Sequence, residues 1–264
     1  MGKHRVSKGR LTMKFICLGD VVGEIGTDAV RKGLPSLIGK YGADLVVVNG
    51  ENANKYKGIS AEDAQELHFC GADVITTGNH VFQQKSVYSL LDEADYIIRP
   101  ANYPASAPGT GMTEIATPFG KVAVINLMGQ IFTDDVDNPF TTVDGLLKKT
   151  DADFIIVDIH AESTSEKRAM GFYLDGKVSV CFGTHTHVQT ADEQFLPKGT
   201  AYITDLGMCG AHDSVLGVKK ENAIEKFRTR MPVVFEKATE DIRLCGIFVD
   251  TDNRKIERIG EKIS

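Results

Sequence analysis

Short apolar runs alternate with amphipathic stretches along most of the chain. Phe15 to Leu18, Leu45 to Val48, Val74 to Thr77, Val122 to Leu127, Phe154 to Ile159, Val178 to Phe182, Ala201 to Thr204 and Leu244 to Val249 are rich in Val, Ile and Phe. They mostly lack a two-residue apolar–polar alternation, so they predict strands covered on both faces. Between them, Thr27 to Tyr41, Ser60 to Cys70, Gln83 to Ala94, Ser163 to Leu174 and Lys219 to Arg230 are amphipathic and predict helices. Pro35 is expected to kink or break the first of these, because it lacks an amide proton and crowds the preceding turn. The strand–helix alternation predicts an α/β fold with a largely parallel sheet under helices. The strands are numerous for one flat sheet, which favours two packed sheets. No repeat or composition shift marks a second domain, so residues 13–264 are expected to form one. Residues 99–113, RPANYPASAPGTGMT, are the most loop-like stretch and suit a surface loop that shapes substrate choice.

Composition narrows the classes of function. The 264 residues carry a net charge of −6, which argues against broad binding to nucleic-acid backbone. A small anionic substrate could still bind where metal ions supply positive charge locally. Five cysteines occur, widely spaced and without a C-x-x-C pair, a pattern that fits a reducing, cytoplasmic compartment and excludes a thiolate zinc site. The first twelve residues, MGKHRVSKGRLT, are basic and polar and are expected to be a disordered extension or a cloning remnant. The apolar run after them ends at Asp20, too short for a secretory signal, and no stretch approaches the ~20 apolar residues of a membrane span.

The candidate chemistry lies at the ends of the strand-like runs. Asp20, Glu51 with Asn52, Asn79 with His80, His160, and His185 with His187 each follow one of them. In open α/β sheets ligands bind beyond the carboxyl ends of strands, so these residues are expected to converge. Singly, each has a plainer reading. Asp20 could cap a helix, Glu51, Asn52 and Asn79 could be turn residues, His80 a satisfied loop histidine, and His160 a half-buried histidine bonded to a carboxylate. Gly183-Thr184-His185-Thr186-His187 resists such a reading best. Two histidines spaced by two in an extended segment would point the same way, and neighbouring neutral imidazoles suit a metal.

Together, Gly19-Asp20, Gly50-Glu51-Asn52, Gly78-Asn79-His80, His160 and the His185–His187 segment resemble the ordered motif set of the calcineurin-like metallophosphoesterases. The resemblance is stronger to the bacterial YmdB family of cyclic-nucleotide phosphodiesterases and runs from Met13 to the C-terminus. Two departures from the wider superfamily match that branch. Asp-x-His is here Asp20-Val21-Val22, and the bridging aspartate is replaced by Glu51.

The resemblance implies a metallophosphoesterase-like sandwich of two packed, parallel or mixed sheets flanked by helices. It also implies two metals bridged by Glu51, with Asp20, Asn52 and His187 completing one site and Asn79, His160 and His185 the other. His80 would protonate the leaving oxygen. Two divalent ions on two carboxylates leave a charge of about +2, which attracts a phosphodiester. Such a pair, roughly 3.5–4 Å apart, activates a hydroxide and stabilises both the attacking and leaving oxygens. The donor set favours iron or manganese, with zinc also compatible. Asp158, Glu162 and Asp192 are candidates to orient the histidines. The implied substrate is a 2′,3′-cyclic nucleotide, and a homo-oligomer is compatible. The competing readings are a phosphomonoesterase or nucleotidase of the same fold, and a regulatory metal- or nucleotide-binding protein. A dinucleotide loop at Gly19–Gly26 lacks the G-x-G-x-x-G spacing and places Asp20 and Glu24 where a pyrophosphate would be repelled.

Overall fold

The computed structural model describes residues 11–55 and 57–264, so residues 1–10 of the expected basic extension lie outside the described residues. Two sheets stack face to face, and helices cover both outer faces. The first sheet holds seven strands. Its path runs β2 (Asp20–Val21), β11 (Met208–Ala211), β12 (Ile242–Asp250), β1 (Lys14–Leu18), β3 (Leu45–Asn49) and β4 (Val74–Thr76), and β13 (Lys255–Lys262) pairs with β12. The second has six, ordered β5 (Met112–Thr117), β6 (Gly120–Met128), β7 (Phe154–His160), β8 (Val180–Thr184), β10 (Ala201–Ile203) and β9 (Gln194–Phe195). Within each sheet the central strands β1–β3–β4 and β6–β7–β8–β10 are parallel, and the flanking pairs with β12, β5 and β9 are antiparallel.

Strand periodicity explains why the apolar runs show no alternation. Phe15 and Cys17 of β1 join Leu45, Val47, Val122, Val124, Ile156 and Phe182 in a core between the sheets. Ile16 and Leu18 face the other way, into a layer with α1 (Gly23–Tyr41) and α2 (Ala61–Phe69). On the far side Ile125, Val157, Ile159 and Cys181 pack under α4 (Pro139–Leu147) and α5 (Thr164–Leu174). Both strand faces are dry, so both must be apolar. The expected two-sheet sandwich is therefore the observed architecture.

Local signals set several element ends. Ser60 and Asp63 form a reciprocal capping box at the start of α2, and Asn138 caps the Phe140 and Thr141 amides before α4. The expected break at Pro35 does not occur: α1 runs unbroken through it for 19 residues. Asp20 does not cap α1 either, because Val22 occupies that position and Asp20 points into the buried interior. Among the described residues, no helix is long and apolar enough to cross a membrane. The remaining helices are α3 (Val87–Glu93) and α6 (Lys220–Thr229).

Candidate metal centre

Parallel strands carry their C-terminal residues to one end of the molecule, and register decides which become neighbours. Met128 pairs with His160 and His160 with Thr184, so β6, β7 and β8 end together. Asn49 pairs with Thr76 on the opposite sheet, which brings Glu51 and Asn52 level with Asn79 and His80. All eight residues expected at the site come together here. Two clusters of potential metal ligands result, Glu51–His160–His185 and Asp20–Glu51–His187, with donor atoms within 4.8 Å of one another in each. Glu51 is common to both.

In the first cluster three donors surround the His160 Nε2. Asn79 Oδ1, Glu51 Oε2 and His185 Nδ1 each stand 3.1 Å from it. The orientation of the ring is fixed from behind. Thr184 donates its hydroxyl to Asp158 Oδ1 at 2.8 Å, which leaves Thr184 Oγ1 to accept a proton from His160 Nδ1 at 2.9 Å. A neutral His160 therefore carries its proton on Nδ1 and offers a lone pair on Nε2, the tautomer a metal requires. Asp158 also accepts from Asn49 at 2.9 Å and Thr76 at 2.6 Å. Glu162 holds the outer nitrogen of His185 at 3.1 Å. Asp158, through Thr184, and Glu162 thus hold the candidate ligands His160 and His185, as expected. Asp192 does not: it accepts from Thr190 and Thr204 and pairs with Arg168.

The second cluster is completed by Asn52, whose amide nitrogen lies 2.7 Å from Glu51 Oε1 and 3.5 Å from His187 Nε2. Its oxygen is 3.0 Å from His80 Nδ1. Turned by half a rotation, the near-symmetric amide presents its oxygen to the cluster and a donor to His80.

Two observations test whether the residues fit metal ions. Asp20 Oδ1 is buried and has no hydrogen-bond partner among the described residues, a costly state unless a cation binds there. A β-carbon at Gly78 would collide with the His160 ring and the Glu51 carboxylate, so a glycine is needed for the chain to pass this close. The donor set of carboxylate, imidazole and amide oxygens suits iron, manganese or zinc. The residues fit.

The turn after β8 departs from expectation. His185 and His187 are not in an extended segment; both have positive φ, 101° and 64°. They project into different clusters rather than side by side. The residues 99–113 loop is knit to itself by Arg99, whose buried guanidinium donates to Pro100 and Pro108 carbonyls. Tyr103 of this loop packs edge-on against Phe82, two residues beyond His80.

Burial and charge shift the protonation of the metal-free centre. Burial raises the Asp20 carboxyl. Burial alone would also raise that of Glu51, but His160 and His80 hold it well below the usual range. Burial opposes charge on His160, yet Glu51, Asp20 and Asp158 push it up to about 9. Burial and the charge of His160 lower His185 to about 4, and burial lowers His187. Between the ordinary histidine value of 6.5 and about 9, the folded chain holds a proton on His160 that the unfolded chain lacks, so raising pH favours unfolding. Below 6.5 the unfolded chain takes up protons that His185 and His187 refuse, so lowering pH also favours unfolding. Through these histidines the metal-free protein is expected to lose stability on either side of pH 6.5, by about 3 kcal/mol at pH 9 through His160. Metal binding must displace the His160 proton, so metal affinity is expected to rise over the same interval. Thermal melts and metal titrations from pH 5 to 9 check both, and flat profiles would refute the assignment.

Comparisons with known proteins identify the family. Residues 16–261 match the family described as YmdB-like protein. The chain belongs to the YmdB-like family. A 2′,3′-cyclic-nucleotide 2′-phosphodiesterase of Bacillus subtilis (strain 168) is 44% identical over 256 residues, which are 94% of this chain and 96% of that protein. A solved structure of a hypothetical protein from Thermus thermophilus superposes with TM-score 0.89 at 38% identity, covering 96% of this chain and 100% of that one. A solved structure described as a novel phosphatase of Mycoplasma pneumoniae gives TM-score 0.87 at 38% identity, covering 96% and 93%. The family expected from the motifs is thus the family found, and a phosphodiesterase is the enzyme class of the curated YmdB-like relative.

Proposed function

We propose that this YmdB-like protein is a dinuclear metal-dependent phosphodiesterase that hydrolyses 2′,3′-cyclic nucleotides, with His80 as proton donor. The observation that carries this reading is the sharing of Glu51 by two ligand clusters. A single structural metal needs no bridging carboxylate, and structural zinc sites are usually thiolate-rich, whereas neither of these clusters holds a cysteine. When bound, two metals would supply Lewis acidity and a lowered pKa for water.

The chain's own residues do the rest. Asp158, through Thr184, and Glu162 hold the histidines in place, as second partners of metal-binding imidazoles do. His80 turns Nδ1 toward Asn52 and Glu51 and has a half-buried side chain, 21% exposed. When Nδ1 accepts from the turned Asn52 amide, the proton resides on Nε2, the end available to a leaving alkoxide. This arrangement suits ester cleavage at phosphorus, and the activity named for the 44% identical Bacillus subtilis relative supports a cyclic diester as substrate. The five free thiols, four of them buried, suit a cytoplasmic setting.

The test is metal analysis of the purified protein with turnover of 2′,3′-cyclic AMP and bis-p-nitrophenyl phosphate, with and without chelator. Two metals per chain, chelator-sensitive hydrolysis and a preference for the cyclic nucleotide are expected. Turnover of monoesters alone would move the protein to the nucleotidase reading, and metal without turnover to a regulatory one.

A further inference from the structure

The turn that carries His185 and His187 adopts a backbone that side chains resist. Both residues are left-handed, at φ 101° and 64°, where the β-carbon crowds the following carbonyl. Two such residues on either side of one threonine need an external hold, and Thr186 provides the attachment. Its amide and hydroxyl both donate to Asp205 Oδ2, at 3.2 and 2.8 Å. The same oxygen accepts Lys167 Nζ at 2.6 Å, and Oδ1 accepts the Gly207 amide at 2.8 Å. Lys167 is 0% exposed and Asp205 is 1% exposed. The lysine stem runs against Gly183, where a β-carbon would stand 2.6 Å from Lys167 Cδ.

A fully buried ion pair seldom improves stability over an apolar pair of the same volume. Its presence therefore asks for another reason, and its position supplies one. Gly207, anchored by Asp205, accepts the Asp20 amide through its own carbonyl at 3.0 Å. The His185 amide in turn donates to Asp20 Oδ2 at 3.1 Å. Beyond the effect of burial, the charge of Lys167 is felt at His185 and that of Asp205 at His187 and Asp20.

We propose that Lys167 and Asp205 clamp the His185–Thr186–His187 turn in its left-handed form, so that one buried ion pair sets the ligand geometry of both metal sites. The inference rests on the two-metal reading. Lys167 and Asp205 are positioning residues, since neither belongs to either ligand cluster. Because His185 serves one cluster and His187 the other, loosening the clamp weakens both sites together.

The experiment compares wild type, Thr186→Val, Thr186→Ser and the double variant Lys167→Met/Asp205→Asn. Manganese affinity at each site is measured by competition with a chromophoric chelator, and the metal-free Tm is recorded alongside. Thr186→Val keeps the shape and removes the hydroxyl donor, so both sites are expected to weaken by about tenfold or more. Thr186→Ser, which keeps the donor, is expected to restore them. The double variant removes both buried charges and is expected to fold but to bind both metals more weakly. A lower metal-free Tm with unchanged affinity in Thr186→Val would mean a packing role only and overturn the clamp. A loss confined to one site would overturn it as well. If the double variant fails to fold, the Thr186 pair decides. A wild type that binds fewer than two ions overturns the two-metal reading and the clamp with it; a wild type that binds two, with variants unchanged, overturns the clamp alone.

Discussion

Replacing Glu51 with glutamine is expected to empty both metal sites and to lower kcat/KM by roughly a thousand- to ten-thousand-fold. Glu51 is the one carboxylate present in both ligand clusters, and it is 1% exposed. One of its oxygens stands 3.1 Å from His160 Nε2, and the other lies 2.7 Å from the Asn52 amide. Glutamine keeps the shape but turns one of these oxygens into a donor and removes the negative charge. Two divalent ions would then face Asp20 alone, with about one more unit of uncompensated charge between them. Losing metal-ion stabilisation of the transition state is worth several kcal/mol, and about 5 kcal/mol corresponds to the rate loss expected. Metal analysis and turnover of 2′,3′-cyclic AMP measure the two effects. A third readout is independent of metal. Glu51 is the largest of the charges that raise His160 against its burial, so the variant is expected to lose the alkaline fall in metal-free stability. Two metals per chain in Glu51→Gln would sink the bridging role.

How much of this is legible in the sequence follows from where each signal arises. The central strands are readable because both faces are buried, so every position in Val46–Val48 or Ile156–Ile159 except Asp158 is apolar. The strands that carry no clear signal are short or lie on antiparallel flanks. Lys255–Lys262 has one wet face and reads KIERIGEK, and Met208–Ala211 contains two residues of little strand preference. The helix Pro139–Leu147 is not among the expected ones, although Asn138 and Pro139 are strong start signals. Pro35 misleads because its cost is set by the surrounding packing, and α1 lays Val30, Leu34 and Leu37 into the core on either side of it.

The candidate ligands are visible because strand ends are short and chemically loud. Their supports are not. Asn49, Thr76 and Thr184 are ordinary strand residues until register places all three on Asp158. Lys167 lies in an amphipathic helix, where a lysine normally reads as solvated; only the packing of α5 against Gly183 turns it inward. The left-handed turn at His185 and His187 leaves no trace in composition, since glycine is the residue that ordinarily marks such backbone.

His80→Ala is expected to keep both metals and to lower kcat about a hundred- to ten-thousand-fold on 2′,3′-cyclic AMP. The residue stands beside the ligands without belonging to either cluster. Its Nδ1 lies 3.0 Å from Asn52 Oδ1 and 3.3 Å from Glu51 Oε1, contacts that orient the ring. A further contact to Glu51 comes from the backbone, where the His80 amide donates to Glu51 Oε2 at 3.2 Å. Alanine removes the side-chain contact but preserves that amide and leaves Asn52 and His160 on Glu51, so the carboxylate is expected to stay where it is. On the proposed role, what alanine removes is the proton on Nε2. A nucleoside alkoxide is a poor leaving group and needs that proton as the phosphorus–oxygen bond breaks, whereas p-nitrophenolate leaves as a stable anion. The loss is therefore expected to be much smaller on bis-p-nitrophenyl phosphate than on the cyclic nucleotide. Equal losses on both substrates with metal retained would assign His80 to transition-state charge stabilisation instead, and loss of metal would make it a ligand.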